Sequence, residues 1–592
     1  MKIRTALSTV LVALVVAALT LGTAGPAAAD HSRISGYVTD ANTGQPLGDV
    51  CVTLGPPITC FTRTDGSGFF IADLALLAAP DGGSWDMYFL KSGYRTAYSQ
   101  PFTVSGPVTF NQALQLESQP DTCATTRTDA ATSTVYLPNI TKTLGGATGW
   151  QTPFIVQNTG TAGTTLEVSF YRFLNGACVT RRSVAGLAPG TSFADVPNND
   201  TDLPGDTQFA VVVRSFGARI VAVVNQHQGV GDRAEALAYT GTASGATTVY
   251  LPNIVRRFFG YVTPFIIQNL GGGTTTATAR FVSFDGSAPT VTVTRTIASG
   301  RSKFVDPNSD DPTLGASGLV DGKQYAVTVT ASQPLTVVVN THLDAAWVAQ
   351  PVAYSTNGLT TGAASVYGAY AAKNASGIGR VSTIVVQNLG TSAITPSLSF
   401  TPLQGSSGSP QTFSATAPVA PGGSWAFDPR FTVGTTTPCN SASATCLGDG
   451  EYTFVASAAG NIAAVVNVIS PATAMGYAAT PAPTVRSYLP NVTRTLGGPG
   501  GWTTPILLQA VSASGATVSW YRFSDGALVH TQTLAIPAGS GVRIDPREVG
   551  PLADNTQYAV VIDGTGGTVA AVVVELASGG DNAMIYEGFG SP

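Results

Sequence analysis

The heptapeptide Thr152-Pro153-Phe154-Ile155-Val156-Gln157-Asn158 decides the fold, because the chain repeats it. It returns as Thr263-Pro264-Phe265-Ile266-Ile267-Gln268-Asn269, then as Thr383-Ile384-Val385-Val386-Gln387-Asn388, and finally as Thr504-Pro505-Ile506-Leu507-Leu508-Gln509. From Gln157 the equivalent glutamine recurs after 111, 119 and 122 residues, at Gln268, Gln387 and Gln509. That period is far too long for ankyrin, leucine-rich or WD40 units, and each copy is large enough to bury a core of its own.

The same features surround each copy in the same order. Upstream lies Tyr136-Leu137-Pro138-Asn139, repeated as Tyr250-Leu251-Pro252-Asn253 and Tyr488-Leu489-Pro490-Asn491, and degenerate as Val366-Tyr367-Gly368-Ala369. Downstream comes a strand such as Val168–Phe173 or Val518–Phe523, each ending in a hairpin turn, Asn175-Gly176 or Asp525-Gly526. A corner follows at Asp195-Val196-Pro197, Asp306-Pro307, Asp428-Pro429 and Asp545-Pro546, and two late strands close the unit. Short segments rich in Val, Ile, Thr, Phe and Tyr, cut by Gly and Pro turns, indicate all-β units. About seven strands in roughly 110 residues fit a β-sandwich.

The repeats are bounded at 132–242, 246–358, 363–482 (the divergent copy) and 485–592. Their linkers, Gly241–Gly245, Thr360–Ala363 and Thr480–Thr484, are short, and small or Pro-bearing. Such linkers predict tandem β-sandwiches in an extended rod. In architecture the repeats resemble the immunoglobulin-like repeats of bacterial surface proteins.

Residues 30–118 follow another pattern. Ile34-Ser35-Gly36-Tyr37-Val38-Thr39-Asp40 leads to Thr43-Gly44-Gln45-Pro46-Leu47 and Val50-Cys51-Val52, and later to Thr64-Asp65-Gly66-Ser67-Gly68-Phe69-Phe70 and Lys91-Ser92-Gly93-Tyr94. This segment resembles the carboxypeptidase regulatory-like domain, which implies a transthyretin-type or carbohydrate-binding-like sandwich and an interaction module in place of a peptidase. Some similar modules in pilus proteins carry a Lys–Asn isopeptide bond; here Lys91 is the one lysine of the domain and the first strand has none.

Lys2 and Arg4, the uncharged apolar run Ala6–Leu21 and Ala27-Ala28-Ala29 read as a signal peptide over residues 1–29. The expected location is secreted or extracellular, with cell-surface association and no membrane span in the mature chain. Among 592 residues 11% are charged, against a usual ~25%, and the net charge is −5. No basic run exceeds two residues, so phosphate-neutralising contact with nucleic acid is excluded as a main activity. Six cysteines suit an oxidising compartment. Of fifteen possible pairings, spacing favours Cys51–Cys60 across a hairpin and Cys439–Cys446 around a short loop, with Cys123–Cys178 by elimination. A zinc site finds no CxxC and no neighbouring His.

Sequence features for catalysis are sparse. His31, His227, His342 and His530 form no zinc motif, and no nucleophile elbow or phosphate-binding glycine loop occurs. Oxygen-rich loops at Asn198-Asn199-Asp200-Thr201-Asp202 with Asp206, and Asn308-Ser309-Asp310-Asp311 with Asp321, invite comparison with calcium sites, though Asn and Asp are default turn formers. No metal or cofactor is expected. Seven residues before the shared glutamine stand Trp150, Tyr261, Arg380 and Trp502. Trp150, Tyr261 and Trp502 are the candidate ligand platform; the competing reading makes them lids on the sandwich cores. The expected function is a non-enzymatic extracellular binding or adhesion protein. The alternative is a carbohydrate-binding protein, and the partners are glycans or extracellular proteins.

Overall fold

A computed structural model describes residues 33–40, 44–54, 60–74, 83–91, 94, 97–99, 102–104, 106–114, 127, 129–146, 148–173, 176–343, 351–375, 379–440, 443 and 445–590. The signal-peptide segment, Cys123 and Asn175 lie outside the described residues. The chain divides into two units, Met1–Glu117 and Ser118–Pro592. Both are built of β-strands, so the all-β reading and the tandem sandwiches hold.

In the first unit, Gln112–Leu114, Arg33–Asp40 and Phe69–Asp73 form one sheet. Thr62–Arg63, Cys51–Leu54, Met87–Leu90 and Ala97–Tyr98 form another. Ile34, Val38, Val50, Val52, Phe70, Met87 and Phe89 fill the core. Arg33–Asp40 alternates buried and accessible side chains, as a strand with one wet face must.

In repeat 1 of the second unit the outer sheet runs Ser133–Lys142, Thr207–Phe216, Thr164–Arg172, Cys178–Leu187. The inner sheet runs Ser192–Asp195, Phe154–Asn158, Ile220–Gln228, Glu235–Thr240. Repeat 4 repeats this order and adds Phe589–Gly590 beside its first strand. In repeats 2 and 3 the two late strands expected from sequence are one continuous strand each, Lys323–Leu343 and Gly450–Ile469, serving both sheets. The degenerate motif of repeat 3 sits one residue later than its sequence suggests. Tyr367 and Gly368 pair as Tyr136 and Leu137 do, with the same bulge after them, so Tyr370 takes the place of Asn139.

The expected rod is wrong for the repeats: they close into a ring. The final strands Glu235–Thr240, Val352–Asn357, Ala474–Ala478 and Ala583–Glu587 pack side by side around one axis, the first against both the second and the fourth. Each seam reuses one geometry. Ser302 Oγ donates to the Pro138 carbonyl (3.1 Å) and Ser424 Oγ to the Pro252 carbonyl (2.9 Å), tying each repeat to its predecessor. Ser192 Oγ of repeat 1 donates to the Pro490 carbonyl of repeat 4 at 3.1 Å in the same way. Likewise Tyr136 Oη reaches the Leu270 carbonyl, and Tyr488 Oη the equivalent Thr159 carbonyl at 3.0 Å. At the third-to-fourth seam the serine is replaced by Gly541, whose carbonyl accepts from the Gln404 N–H at 2.8 Å. A Cβ there would lie 2.4 Å from the Thr453 methyl, so only glycine allows that approach.

Two physical causes defeat the rod. The chain entering each linker is zipped onto the first strand of its own repeat: the Tyr136 N–H donates to Thr242 (2.9 Å), Tyr250 to Leu359 (2.8 Å) and Tyr367 to Thr480 (2.9 Å), which shortens the free linker. The contact between neighbours is head-to-tail, and a head-to-tail contact whose rotation closes produces a ring.

Candidate functional site

The row chosen from sequence is a real geometric set. Trp150 pairs with Leu144 and Trp502 with Leu496 across their Gly-rich turns, Tyr261 with Phe258, and Arg380 with Ala375. All three candidate aromatics are partly buried, Trp502 packs against the core of its own repeat, and each also reaches a neighbouring repeat. The Trp150 ring meets His342 of repeat 2 edge-on, with centroids 5.6 Å apart, and Trp502 meets His227 of repeat 1 at 5.1 Å. Tyr261 joins Val352, Tyr354, Ala474 and Ile469 across the seam of repeats 2 and 3, and burial pushes its hydroxyl up to about 12. Arg380 is buried. Trp150, Tyr261 and Trp502 staple neighbouring repeats. Burial also pushes His227 down to about 4, so its ring stays neutral against Trp502.

Sequence reading missed the polar groups on the ring axis. Asp581, fully buried in repeat 4, accepts the Ala353 N–H of repeat 2 at 2.7 Å and the Ala474 N–H of repeat 3 at 2.9 Å. Its own N–H donates to the Ala234 carbonyl of repeat 1 at 2.8 Å. One residue thus joins all four repeats, and burial raises its carboxyl to about 8 despite the two donors. Glu235 pairs beside it and accepts from Gln228. At the opposite end of the axial strands, Asn357 Nδ2 donates to the Thr240 carbonyl (2.7 Å), and the equivalent Glu587 accepts the Ala478 N–H.

The seam between repeats 4 and 1 holds a second buried carboxyl. Glu575 Oε2 accepts from Asn225 Nδ2 of repeat 1 (2.9 Å) and from Asn491 Nδ2 (3.1 Å), and burial raises the group to about 8.

The shared glutamine and asparagine are structural. Gln387 Nε2 reaches the Val327 carbonyl of the preceding repeat. Asn158, Asn269 and Asn388 each donate twice across a turn, for example to Ala162 (2.8 Å) and Leu187 (2.9 Å). In the oxygen-rich loops, Asp200 pairs with Arg182 at 2.7 Å, and Asp310 and Asp321 pair with Arg256 at 2.9 and 2.6 Å. Their carboxylates hold arginines. Cys51 bonds to Cys60 and Cys439 to Cys446, with Cα separations of 5.4 and 5.6 Å; Cys178 is also disulfide-bonded.

A surface feature remains on the first unit. Tyr37 is 50% exposed and Ile71 46%, and Tyr37 lies against the ring of Phe69 across the Arg33–Asp40 and Phe69–Asp73 pair. The three form an apolar strip on the wet face of a sheet. Strict alternation through Ser35, Tyr37 and Thr39 was the signal that could have found it.

No family model matches the chain, and no curated protein does. Among solved structures, a proposed carbohydrate-binding protein from Bacteroides uniformis aligns at 8% identity over 33% of this chain and 90% of that one, with a TM-score of 0.12. The major pilin subunit of Bacillus cereus aligns at 10% over 52% and 87%, with a TM-score of 0.13. A tetra-tandem repeat from the extending region of a large adhesion protein aligns at 12% over 73% and 91%, with a TM-score of 0.10. At these scores the likenesses carry no argument about function.

Proposed function

We propose that the protein is an exported, non-enzymatic extracellular binding protein of the adhesion type: a ring of sandwiches with a separate interaction module. The observation that carries this reading is the Tyr37–Phe69–Ile71 strip, an aromatic-bearing apolar surface on a rigid sheet. The polar groups of the ring support it from the other side, since His227, Glu575 and Asp581 are spent on holding repeats together. Disulfides in both units suit an oxidising exterior. The resemblance of the first unit to the carboxypeptidase regulatory-like family agrees with a binding role.

Glycans are the ligand class this strip suits best, because sugar rings stack their C–H faces on exposed aromatics. A glycan array probed with the full chain and with Tyr37→Ala tests it. The expected result is a bound set that weakens at least tenfold in the variant. A blank array with retained binding to extracellular matrix proteins points to a protein partner, and turnover in a broad hydrolase screen overturns the non-enzymatic reading.

A further inference from the structure

The seam that closes the ring contains an unresolved pairing. Glu575 and Asn225 are joined through Oε2 and Nδ2 at 2.9 Å, but Glu575 Oε1 and Asn225 Oδ1 are both buried with no hydrogen-bond partner. Two such acceptors in one hydrogen-bonded pair are costly, unless a proton lies between them.

Repeat 1 shows what belongs at this position. Val573 pairs with Ile506 as Val224 pairs with Phe154, so Glu575 is the counterpart of Gln226. Gln226 Oε1 accepts from Asn139 Nδ2 at 2.7 Å, just as Glu575 Oε2 accepts from Asn491 Nδ2. The other terminal atom of Gln226 is a donor. Its Nε2 crosses to Ser355 Oγ of repeat 2 at 3.2 Å, and Ser355 Oγ donates to Asn340 Oδ1 at 2.7 Å. Asn340 is the counterpart of Asn225. At the covalently linked seam, hydrogen therefore runs from the glutamine toward the asparagine oxygen of the next repeat. A neutral carboxylic acid mimics that glutamine: its carbonyl oxygen accepts and its O–H donates.

We propose that Glu575 is held as the neutral acid, its Oε1–H donating to Asn225 Oδ1, so that a one-proton acid–amide pair latches repeat 4 to repeat 1. Burial pushes the group in the same direction. The groups packed around it leave the proton in place. Strand Arg486–Arg494 brings the neutral Asn491, backed by Gln557 Nε2 at 2.6 Å. Strand Ala583–Glu587 brings Tyr586, whose hydroxyl donates to the Asn491 carbonyl at 2.7 Å. Strand Ile220–Gln228 brings His227, two residues beyond Asn225, kept neutral against Trp502. Asp581 sits in the following turn, bonded to backbone N–H groups.

Glu575→Gln in the full chain supplies the donor permanently and is the decisive variant. At pH 6 it should melt with the wild type. Between pH 7 and 10 the wild type should lose the latch, seen as intrinsic-corrected deuterium uptake at least tenfold faster than that of E575Q in the peptide covering 220–228, while Asp581 and Glu587 titrate alike in both proteins. The infrared difference spectrum, wild type minus E575Q at pH 7, should contain the carbonyl band of a neutral acid. A carboxylate band there, an E575Q protein that fails to fold at pH 6, or parallel uptake at pH 10 would each overturn the proposal.

Discussion

Replacing Asp581 with Ala should loosen all four repeats at once. The carboxyl accepts the buried N–H groups of Ala353 and Ala474, at 2.7 and 2.9 Å, from two different repeats. Each orphaned buried donor costs about 1–3 kcal/mol, so the variant should lose ~2–6 kcal/mol. The unit Ser118–Pro592 unfolds with an entropy of about 2.1 cal/mol/K per residue, or roughly 1 kcal/mol/K in all. If the ring melts as one body, its Tm falls by about 2–6 °C. Scanning calorimetry of the full chain at pH 6 measures this. Asp525→Ala is the control, because Asp525 pairs on the surface with Arg522 in the same repeat. An unchanged Tm in Asp581→Ala, or an equal drop in the control, would refute the axial clasp.

Trp502→Ala should cost about 2 kcal/mol, below the ~3–5 of a fully buried Trp because the side chain is only partly buried. The pKa of His227, followed by NMR, should climb from about 4 toward 6.5; a stationary pKa would show that Trp502 does not cover it. Gly541→Ser restores the residue of the other three repeats but sets a Cβ 2.4 Å from the Thr453 methyl, so it should destabilise by about 1–3 kcal/mol; a stabilised variant would contradict the close approach. Asp581, Glu575 and Glu587 are raised by burial to about 8, 8 and 7, whereas the unfolded groups titrate near 4. The folded ring then binds protons that the unfolded chain has released, so the stability these groups give is full below about pH 4 and lost as pH rises to about 8. Folding at pH 6 should take up protons in calorimetry with buffers of different ionisation heat; release would reverse the sign.

The strands and the fourfold repetition were legible because turn chemistry and β-branched runs act locally. Closure was not, although one trace of it lay in the chain. Val221-Ala222-Val223-Val224 and Phe154-Ile155-Val156 are apolar without alternation, and the structure buries both faces of the Phe154–Asn158 strand. A free-standing sandwich would wet one of those faces and alternate, as Thr275–Ser283 does on an outer sheet. Trp150 and Trp502 were found as a set, but their partners His342 and His227 belong to other repeats, 192 (342 − 150) and 275 (502 − 227) positions away along the chain. Asp581 and Glu575 gave no sequence signal at all, since a lone carboxylate in a Gly-rich turn or at a strand end looks like any solvated one.

The seam between repeats 4 and 1 uses the same serine–carbonyl and tyrosine–carbonyl contacts as the seam between repeats 1 and 2, so nothing in these contacts distinguishes its own first repeat from that of another molecule. What selects the self-closed form is tethering. The three earlier seams hold repeat 1 beside repeat 4 at an effective concentration in the millimolar range, and a second chain competes only when its own concentration approaches that. A lesion that opened one of the three earlier seams would therefore remove the tether and leave the faces of repeats 4 and 1 intact, free to capture those of another chain.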